Sequence, residues 1–342
     1  MAETIETSNG KRYRRRRLEF ILQAQEPIKH LEGSIGNHGV LMRKKVRQPD
    51  GTFETVPYVT GNAMRNRMRQ AAAYALLDAA GLLGDALSES AIRLLFSGGM
   101  VTGKGDASTV SLTAYREMVD IIPTMAIFGG CAGNRVIPGR LKVDEATLMA
   151  WESVEGLSPW MMRWMEDRNT KLATAREHVE NHQSVRMDAL LDPGKRNLLT
   201  AGERAKVEGR LLASEKASAA ADHREADATK STMMPYTFER ICEGALFRWG
   251  VEADCYNDLD EDTFMVAVGA FLSNARVGGG AGTGHGLLKA VACGDFKLRA
   301  PSDDVDVVDT TAALGHRAGR LFREHVRERK DALRKFLAEV ES

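Results

Sequence analysis

The sequence has few of the features that mark secreted, zinc-bound or membrane-spanning proteins. Only four cysteines occur in 342 residues, and no two of them have the Cys-x-x-Cys spacing of a structural zinc site. No apolar run approaches the 18 residues of a membrane span, and the charged N-terminus is not followed by the apolar core of a signal peptide. We therefore expect a cytoplasmic protein with no disulfide scaffold and no membrane partner.

The net charge is zero, because 47 Lys and Arg balance 47 Asp and Glu, but the charge is unevenly placed. Residues 1–70 have 14 basic and 7 acidic side chains, a net charge of +7, whereas residues 251–310 have 4 basic and 11 acidic ones, a net charge of −7. Two explanations fit this asymmetry. One is an internal network of ion pairs, and the other is a polyanion-binding surface together with a separate surface that docks a subunit.

Hydrophobic periodicity predicts an α+β fold whose elements follow the order β-α-β-β-α-β. This order is the ferredoxin-like arrangement, and the same sheet binds single-stranded RNA in RNA-recognition domains. The predicted elements are strand 17–24, helix 61–80, strand 136–143, strand 245–253, helix 261–274 and strand 287–293. Thr60 is the predicted N-cap of the first helix, and residues 40–46 and 53–58, on either side of the turn at 48–51, predict a β-hairpin. We expect residues 1–144 and 231–300 to form this core, 145–230 to be a helical insertion, and 301–342 to be an acidic linker and a basic C-terminal helix.

A glycine-rich segment, Gly-Gly-Gly-Ala-Gly-Thr-Gly-His-Gly, occupies residues 278–286. Glycine allows close approach of backbone to a ligand, and successive N–H groups can bind an anion. The segment does not have the dinucleotide-binding spacing, because Thr283 stands where the third glycine would be. It is therefore either a flexible connector or a loop that tracks phosphates.

Other motifs are incomplete, and we predict no catalytic residue, no metal and no cofactor. Residues 98–104 resemble a phosphate-binding loop, but Gly105 replaces the Ser or Thr that would hold magnesium. His178 and His182 have no evident third metal ligand. Asp258, Asp260 and Asp262 begin like a calcium loop, but neither the sixth nor the twelfth position fits that motif.

Three segments resemble the RAMP superfamily, and in particular the Cas-seven-type backbone subunit of CRISPR effector complexes. The first is residues 56–69, VPYVTGNAMRNRMR, which is similar to the family's conserved stretch at the start of the first helix. The second is IFGG at 127–130 with VIPGRLKVD at 136–144. The third is FERICEGALF at 238–247, with the glycine-rich segment downstream. The divergence and the large insertion point to the type IV branch.

The resemblance implies a subunit that polymerises head to tail along a CRISPR guide RNA. Copies of the chain would form a helical filament, contact other effector subunits and present the guide for pairing with a target nucleic acid. A thumb segment, placed between residues 178 and 235 and ending near Met233 and Met234, would push between bases of the guide.

The RNA-binding residues that we predict are of four kinds: basic side chains, the start of the first helix, the end of the thumb segment, and the glycine-rich segment. They are Arg14, Arg15, Arg16, Arg17, Arg43, Lys44, Lys45, Thr60, Gly61, Asn62, Arg65, Arg69, Arg135, Met234, Gly278, Gly279, Gly280, Gly282, Gly284 and His285.

One departure from the family bears on activity. Relatives that cleave their target have an Asp in the loop between the first strand and the first helix, whereas residues 33–39 here contain none. We therefore predict an RNA-binding scaffold that is not an enzyme. Two alternatives stay open: a metal-dependent ribonuclease of the same fold that uses Asp50 or His38, and a nucleotide-binding enzyme that uses the glycine-rich segment.

If the acidic segment docks a neighbouring copy, reversing its charge should shorten filaments. Substituting Asp303→Lys, Asp304→Lys and Asp306→Lys should leave RNA binding by a single subunit intact or stronger, because the added charge attracts phosphates. Mass measurements on guides of increasing length should show the parent adding subunits in even steps. A fixed ring or dimer at every guide length would contradict the filament.

Overall fold

The structure is a computed structural model of the chain, and it describes residues 5–6, 12–99, 112–132, 135–186, 193–220, 234–297, 307–308 and 319–339. Its strands are β1 (Ile5–Glu6), β2 (Arg12–Ala24), β3 (Leu31–Ile35), β4 (His38–Leu41), β5 (Arg43–Arg47), β6 (Phe53–Val59), β7 (Gly130–Ala132), β8 (Arg135–Ile137), β9 (Leu141–Val143), β10 (Ala146–Leu148), β11 (Val179–Arg186), β12 (Met234–Ile241), β13 (Leu246–Cys255), β14 (Ala275–Arg276), β15 (Leu287–Lys297) and β16 (Val307–Val308).

The α-helices of the same ranges are α1 (Gly61–Ala80), α2 (Glu89–Ile92), α3 (Leu112–Ile121), α4 (Pro123–Phe128), α5 (Pro159–Asp167), α6 (Pro193–Arg196), α7 (Ala201–Ala220), α8 (Asp258–Leu272), α9 (Arg320–Glu328) and α10 (Lys330–Glu339). No helix within the described ranges is both long enough and apolar enough to cross a membrane. Apart from β16, the predicted acidic linker, with Asp303, Asp304 and Asp306, lies outside the described residues.

The fold is mixed α+β and is built on a curled antiparallel sheet. The strand order is β14-β15-β2-β13-β10-β6-β5, and β9 also pairs with β13. The central strand, β2, pairs with β13 from Gln23 opposite Leu246 to Arg14 opposite Cys255. On its other side β2 pairs with β15, with a register shift between Ala290 and Ala292.

The predicted strand 136–143 is instead two short strands in different places. β8 pairs with β7, whereas β9 pairs with β13 in the main sheet. The break falls at Pro138–Arg140, where proline has no N–H to donate to a strand neighbour. The Arg140 N–H donates to the Ile127 carbonyl at 2.9 Å instead, and this turns the chain away from a continuous strand.

One face of the sheet packs against α1 and α8. Phe20 of β2 stacks on Trp249 of β13 with ring centroids 5.3 Å apart, and Trp249 meets Phe271 of α8 edge to face at 5.4 Å. Met64 and Met68 of α1 are fully buried. Burial of each such side chain contributes about 1.5–3 kcal/mol, so this layer holds the two helices on the sheet.

The opposite face of the sheet is covered at one end by α5. Trp160, Trp164 and Met165 of α5 pack in one cluster with Ile21 of β2. The Trp160 indole N–H donates to the Glu19 carboxylate at 3.1 Å, which fixes the tryptophan on the sheet. That end of the sheet face is therefore occupied by the chain's own tryptophans.

Acidic side chains at the other end of that face and at the start of α8 neutralise the predicted basic run, residues 14–17. The register places this run opposite an acidic stretch of β13, with Arg15 facing Asp254 and Arg17 facing Glu252. Ion pairs join Arg15 to Asp254 at 2.9 Å, Arg17 to Asp144 at 2.6 Å, Arg14 to Asp258 at 3.0 Å, and Arg16 to Glu261 at 2.8 Å. An internal network of ion pairs therefore accounts for much of the opposite charge of the two segments.

Each aspartate of the calcium-like motif has a structural partner. Asp258 pairs with Arg14, and Asp260 pairs with Arg140. Asp262 accepts hydrogen bonds from the backbone N–H groups of Gly319, at 2.5 Å, and Phe322, at 2.9 Å, at the start of α9. Asp258, Asp260 and Asp262 therefore each make a different structural contact at the start of α8.

The chain divides into two compact units, residues 1–31, 42–180 and 240–342 in one and residues 32–41 and 181–239 in the other. The second unit draws on a four-stranded sheet of order β11-β12-β4-β3, in which Thr237 of β12 lies opposite His38 of β4. The predicted insertion began at residue 145, but β10 belongs to the main sheet and pairs with β6 and β13. Residues 221–230 of that insertion lie outside the described residues.

A buried ion pair ties the start of α8 to the segment before β9. The Arg140 guanidinium donates to both oxygens of Asp260, at 2.6 and 2.9 Å, and its Nε donates to the Ala126 carbonyl at 2.8 Å. Burial is the largest single effect on Arg140 and opposes its charge, but the hydrogen bonds to Asp260 and the attraction to the Asp260 charge, together with smaller contributions from Tyr115 and Tyr256, raise its pKa. Removing one partner would leave an uncompensated buried charge.

We expect Asp260→Asn to lower the free energy of unfolding by about 3–5 kcal/mol, the usual result of breaking a buried ion pair. The matched control is Glu324→Gln, which removes the exposed Arg320–Glu324 pair of α9 and should change stability by less than about 0.5 kcal/mol. Urea unfolding of both variants measures the difference. Equal effects would show that the Arg140–Asp260 pair contributes nothing beyond a surface ion pair.

Candidate nucleic-acid interface

The start of α1 has the geometry expected of an anion-binding helix end. Thr60 is the N-cap, as predicted, and its hydroxyl accepts a hydrogen bond from the Ala63 N–H at 3.3 Å. The first turn contains no acidic side chain. Gly61 is required by close packing, because a Cβ there would lie 2.6 Å from the Val143 carbonyl oxygen. The positive end of the helix dipole is therefore not neutralised by a carboxylate of its first turn.

The glycine-rich segment is fixed to the backbone of Pro27 and Lys29. The Gly279 N–H donates to the Lys29 carbonyl at 2.7 Å, and the Gly286 N–H donates to the Pro27 carbonyl at 3.0 Å. Gly278 has a φ of +72°, and a Cβ on it would overlap the Lys29 carbonyl. The segment is thus held near both ends, unlike a flexible connector.

Residues 27–30 also bond to the start of α1. The Thr60 N–H donates to Nε2 of His30 at 3.3 Å. Burial lowers the pKa of His30, which favours the neutral ring with a nitrogen free to accept that hydrogen bond. The backbone carbonyl of Lys29 accepts a hydrogen bond from the glycine-rich segment, and the adjacent His30 side chain accepts one from the start of α1. The two predicted motifs therefore lie side by side.

A groove of about 460 Å³ lies where these elements meet, and we call it the phosphate groove. Lys29 and Arg67 contribute its two cationic side chains, and no carboxylate is found among the described residues that line it. Arg67 hydrogen-bonds to Gln70 at 3.3 Å and forms no ion pair within the described ranges. The remaining lining residues are His30, Leu31, Ala63, Asn66, Gly278 and Gly279.

Arg65 and Arg69, which we predicted to contact phosphates, hydrogen-bond to backbone carbonyls of a neighbouring loop. Arg65 donates to the carbonyls of Leu141 and Phe128, each at 2.8 Å, and Arg69 donates to those of Phe128 and Gly129, each at 2.9 Å. Burial lowers the pKa of both side chains, that of Arg69 to about 10. A direct phosphate contact by these two arginines stays a prediction.

The other predicted RNA contacts are dispersed. Lys44 on the edge strand β5 pairs with Glu145 at 2.8 Å, whereas the neighbouring Lys45 is exposed and Arg43 is half-buried. Asn62 is exposed on α1. Arg135 opens β8, and Met234 opens β12 in the second unit. Arg43, Lys44, Lys45 and Asn62 are not among the described residues that line the phosphate groove.

The second half of the glycine-rich segment forms a turn of its own. Gly280 and Gly284 flank a short 3-10 turn, and Gly282 has open space around it. His285 is buried and donates from Nδ1 to the Thr283 carbonyl at 2.9 Å, so its ring fixes the turn. Only the first two glycines, Gly278 and Gly279, line the groove.

Sequence reasoning missed Lys29, Asn66, Arg67 and Gln70 as groove residues. Arg65 and Arg69 are four residues apart and share one side of α1, whereas Arg67 is 200° from Arg65 around the helix axis at 100° per residue. Which side of α1 faces the glycine-rich segment depends on where that segment lies in the fold. The spacing of residues along the helix does not predict this.

The likeness of this chain to known proteins lies in its structure. No family model matches the chain. No curated protein matches it. A chain of a solved structure named "Type IV-B CRISPR Complex" is similar at a TM-score of 0.46 and 15% sequence identity, over 84% of this chain and 94% of that one.

Substituting Arg69→Met should lower the free energy of unfolding by about 2–4 kcal/mol, because buried carbonyls of Phe128 and Gly129 would lose a charged donor. The matched change on the other side of α1, Arg67→Met, should alter stability by less than about 1 kcal/mol, because Arg67 lines an open groove. Urea unfolding curves of the two variants test this assignment. A larger loss for Arg67→Met would show that the two arginines have the opposite roles.

Proposed function

We propose that this chain binds a CRISPR guide RNA as the backbone subunit of a type IV-like effector complex and that it has no catalytic role. The phosphate groove carries the proposal. It joins the cationic side chains of Lys29 and Arg67 to the first turn of α1, at Ala63, and it has no carboxylate among the described residues that line it. The positive side chains and the positive end of the helix dipole favour an anion, and Gly278 and Gly279 let a strand approach the backbone. Such contacts attract the phosphates of any sequence, as a guide carrier requires.

The topology supports a ferredoxin-like core. We infer that β2, α1, β9, β13, α8 and β15 are its six elements in chain order. Their strands lie in the order β15-β2-β13-β9, and every neighbouring pair is antiparallel. In this interpretation the phosphate groove lies beside the core, on α1, and not on the sheet face that α5 covers.

The assembly role rests on the resemblance of three sequence segments to the RAMP superfamily. We propose that copies of the chain follow one another along the guide, contact other effector subunits and leave guide bases open to pair with a target. The second unit, residues 32–41 and 181–239, is our candidate for the thumb segment, since it covers most of the predicted range.

Binding is favoured over cleavage by the contacts of the two alternative catalytic residues. The Asp50 carboxylate accepts hydrogen bonds from the Thr52 hydroxyl and the Thr52 N–H, at 2.7 and 2.9 Å, and these bonds lower its pKa. Asp50 therefore holds the β5–β6 turn. His38 hydrogen-bonds to the Thr237 hydroxyl at 2.8 Å within the second unit. Both side chains have structural contacts that account for them.

Substituting Arg67→Gln should lower the salt dependence of RNA binding by somewhat under one unit of slope, the loss of one phosphate contact on a single strand. Arg15→Gln is the control, because Arg15 is paired with Asp254 on the sheet. Binding to single-stranded RNA across a salt series gives both slopes. If Arg15→Gln reduces the slope and Arg67→Gln leaves it unchanged, the phosphates lie on the sheet and not in the phosphate groove.

A side chain at Gly279 should block the phosphate groove, whereas one at Gly282 should not. Neither position has a positive φ, and a Cβ at either meets nothing closer than 3.9 Å, so both variants should fold. We expect Gly279→Val to lose most of its co-purifying RNA, seen as a lower 260/280 nm absorbance ratio, and Gly282→Val to keep it. Equal retention by the two variants would remove the groove from the RNA path.

A further inference from the structure

A second groove, of about 500 Å³, continues from the phosphate groove along α1 towards α8. The two share Arg67 and Gln70, and the second is further lined by Tyr74, Asp78, Phe271 and Asn274. Positions 67, 70, 74 and 78 follow helical spacing, so they form one stripe about 16 Å long at 1.5 Å per residue. A strand whose phosphate lies in the first groove therefore meets the second without crossing another element.

The chemistry of the second groove suits a nucleobase better than a phosphate. Its lining includes Tyr74, Phe271 and several alanines, whereas five of the nine residues that line the phosphate groove have polar side chains. Three charged side chains line the second groove: Arg67 at the end that the two grooves share, Arg276, which pairs with Glu26, and Asp78. Asp78 is exposed and forms no ion pair with the described residues. Its negative charge repels a phosphate, whereas a neutral base pays no such penalty.

Tyr74 presents the aromatic surface that a base would stack on. Its side chain is 59% exposed, although it lies in the middle of a helix. Phe96 holds the ring edge to face, with centroids 5.0 Å apart and an angle of 69° between the planes. An exposed ring that is fixed by a neighbour offers stacking at little entropic cost.

Asn274 supplies a polar edge that accepts any base. It follows the C-terminus of α8 and is exposed, and its side-chain amide makes no hydrogen bond with the described residues. An amide has both donors and an acceptor, so it can pair with the edge of each of the four bases. This tolerance matches a protein that must carry guides of different sequence.

We propose that the second groove is a sequence-tolerant base site, in which one base of the bound strand stacks on Tyr74 while its phosphate lies beside Arg67. This inference rests on the proposed RNA-binding function and adds a base contact to it.

The test compares Tyr74→Ala with Tyr74→Phe on two probes, an ordinary single-stranded RNA and an oligomer of the same length whose nucleotides lack bases. Tyr74→Ala should weaken binding to the ordinary RNA by roughly 5- to 100-fold, the usual effect of losing one stacked base. Its affinity for the base-free oligomer should not change. Tyr74→Phe keeps the ring and should match the parent on both probes.

The salt slope separates a failure of this inference from a failure of the proposed function. Tyr74→Ala should keep the parent's slope, because no phosphate contact is lost. If the variant binds both probes as the parent does, or loses the same factor on both, there is no base site, and an Arg67-dependent slope would still support the phosphate groove. If the parent binds neither probe, both proposals fall. Thermal unfolding of Tyr74→Ala controls for loss of the Phe96 contact.

Discussion

The backbone of residues 27–30 is the contact on which the rest of the candidate interface depends. Its carbonyls accept the N–H groups of Gly279 and Gly286, and the His30 ring accepts the N–H of Thr60. Because β2 ends three residues earlier, at Ala24, these bonds fix the glycine-rich segment and the start of α1 relative to the centre of the sheet. Hydrogen bonds to residues 27–30 therefore hold both sides of the groove in place.

The distribution of charge in the fold differs from its distribution in the sequence. The basic run 14–17 and the acidic stretch of β13 are far apart along the chain, yet antiparallel pairing places them side by side as ion pairs. Arginines inside such a network offer little attraction to a polyanion, because their field is cancelled at short range. Arg67 shares its groove with Lys29 and makes no ion pair within the described ranges, so its charge is less cancelled than the charges of the four arginines in the sheet.

Periodicity and capping predicted most of the helices and strands around the core. Helix α1, its Thr60 cap, the β5–β6 hairpin and α8 follow directly from local patterns, and all four are confirmed. Sequence reasoning failed where a distant partner decides the outcome. Arg65 and Arg69 look like surface cations until the carbonyls of the loop at Phe128 are in place beside them. Strand 136–143 is broken because Arg140 bonds to Ile127 and Asp260, and the second of these is 120 residues away.

A cryo-electron microscopy structure of the chain bound to single-stranded RNA tests the central claim most directly, because it locates the phosphates. We predict a phosphate within hydrogen-bonding distance of the Arg67 guanidinium, with the next part of the strand passing the backbone of Gly278 and Gly279. RNA that follows Arg15 and Arg17 across the sheet, with the phosphate groove empty, would contradict the account.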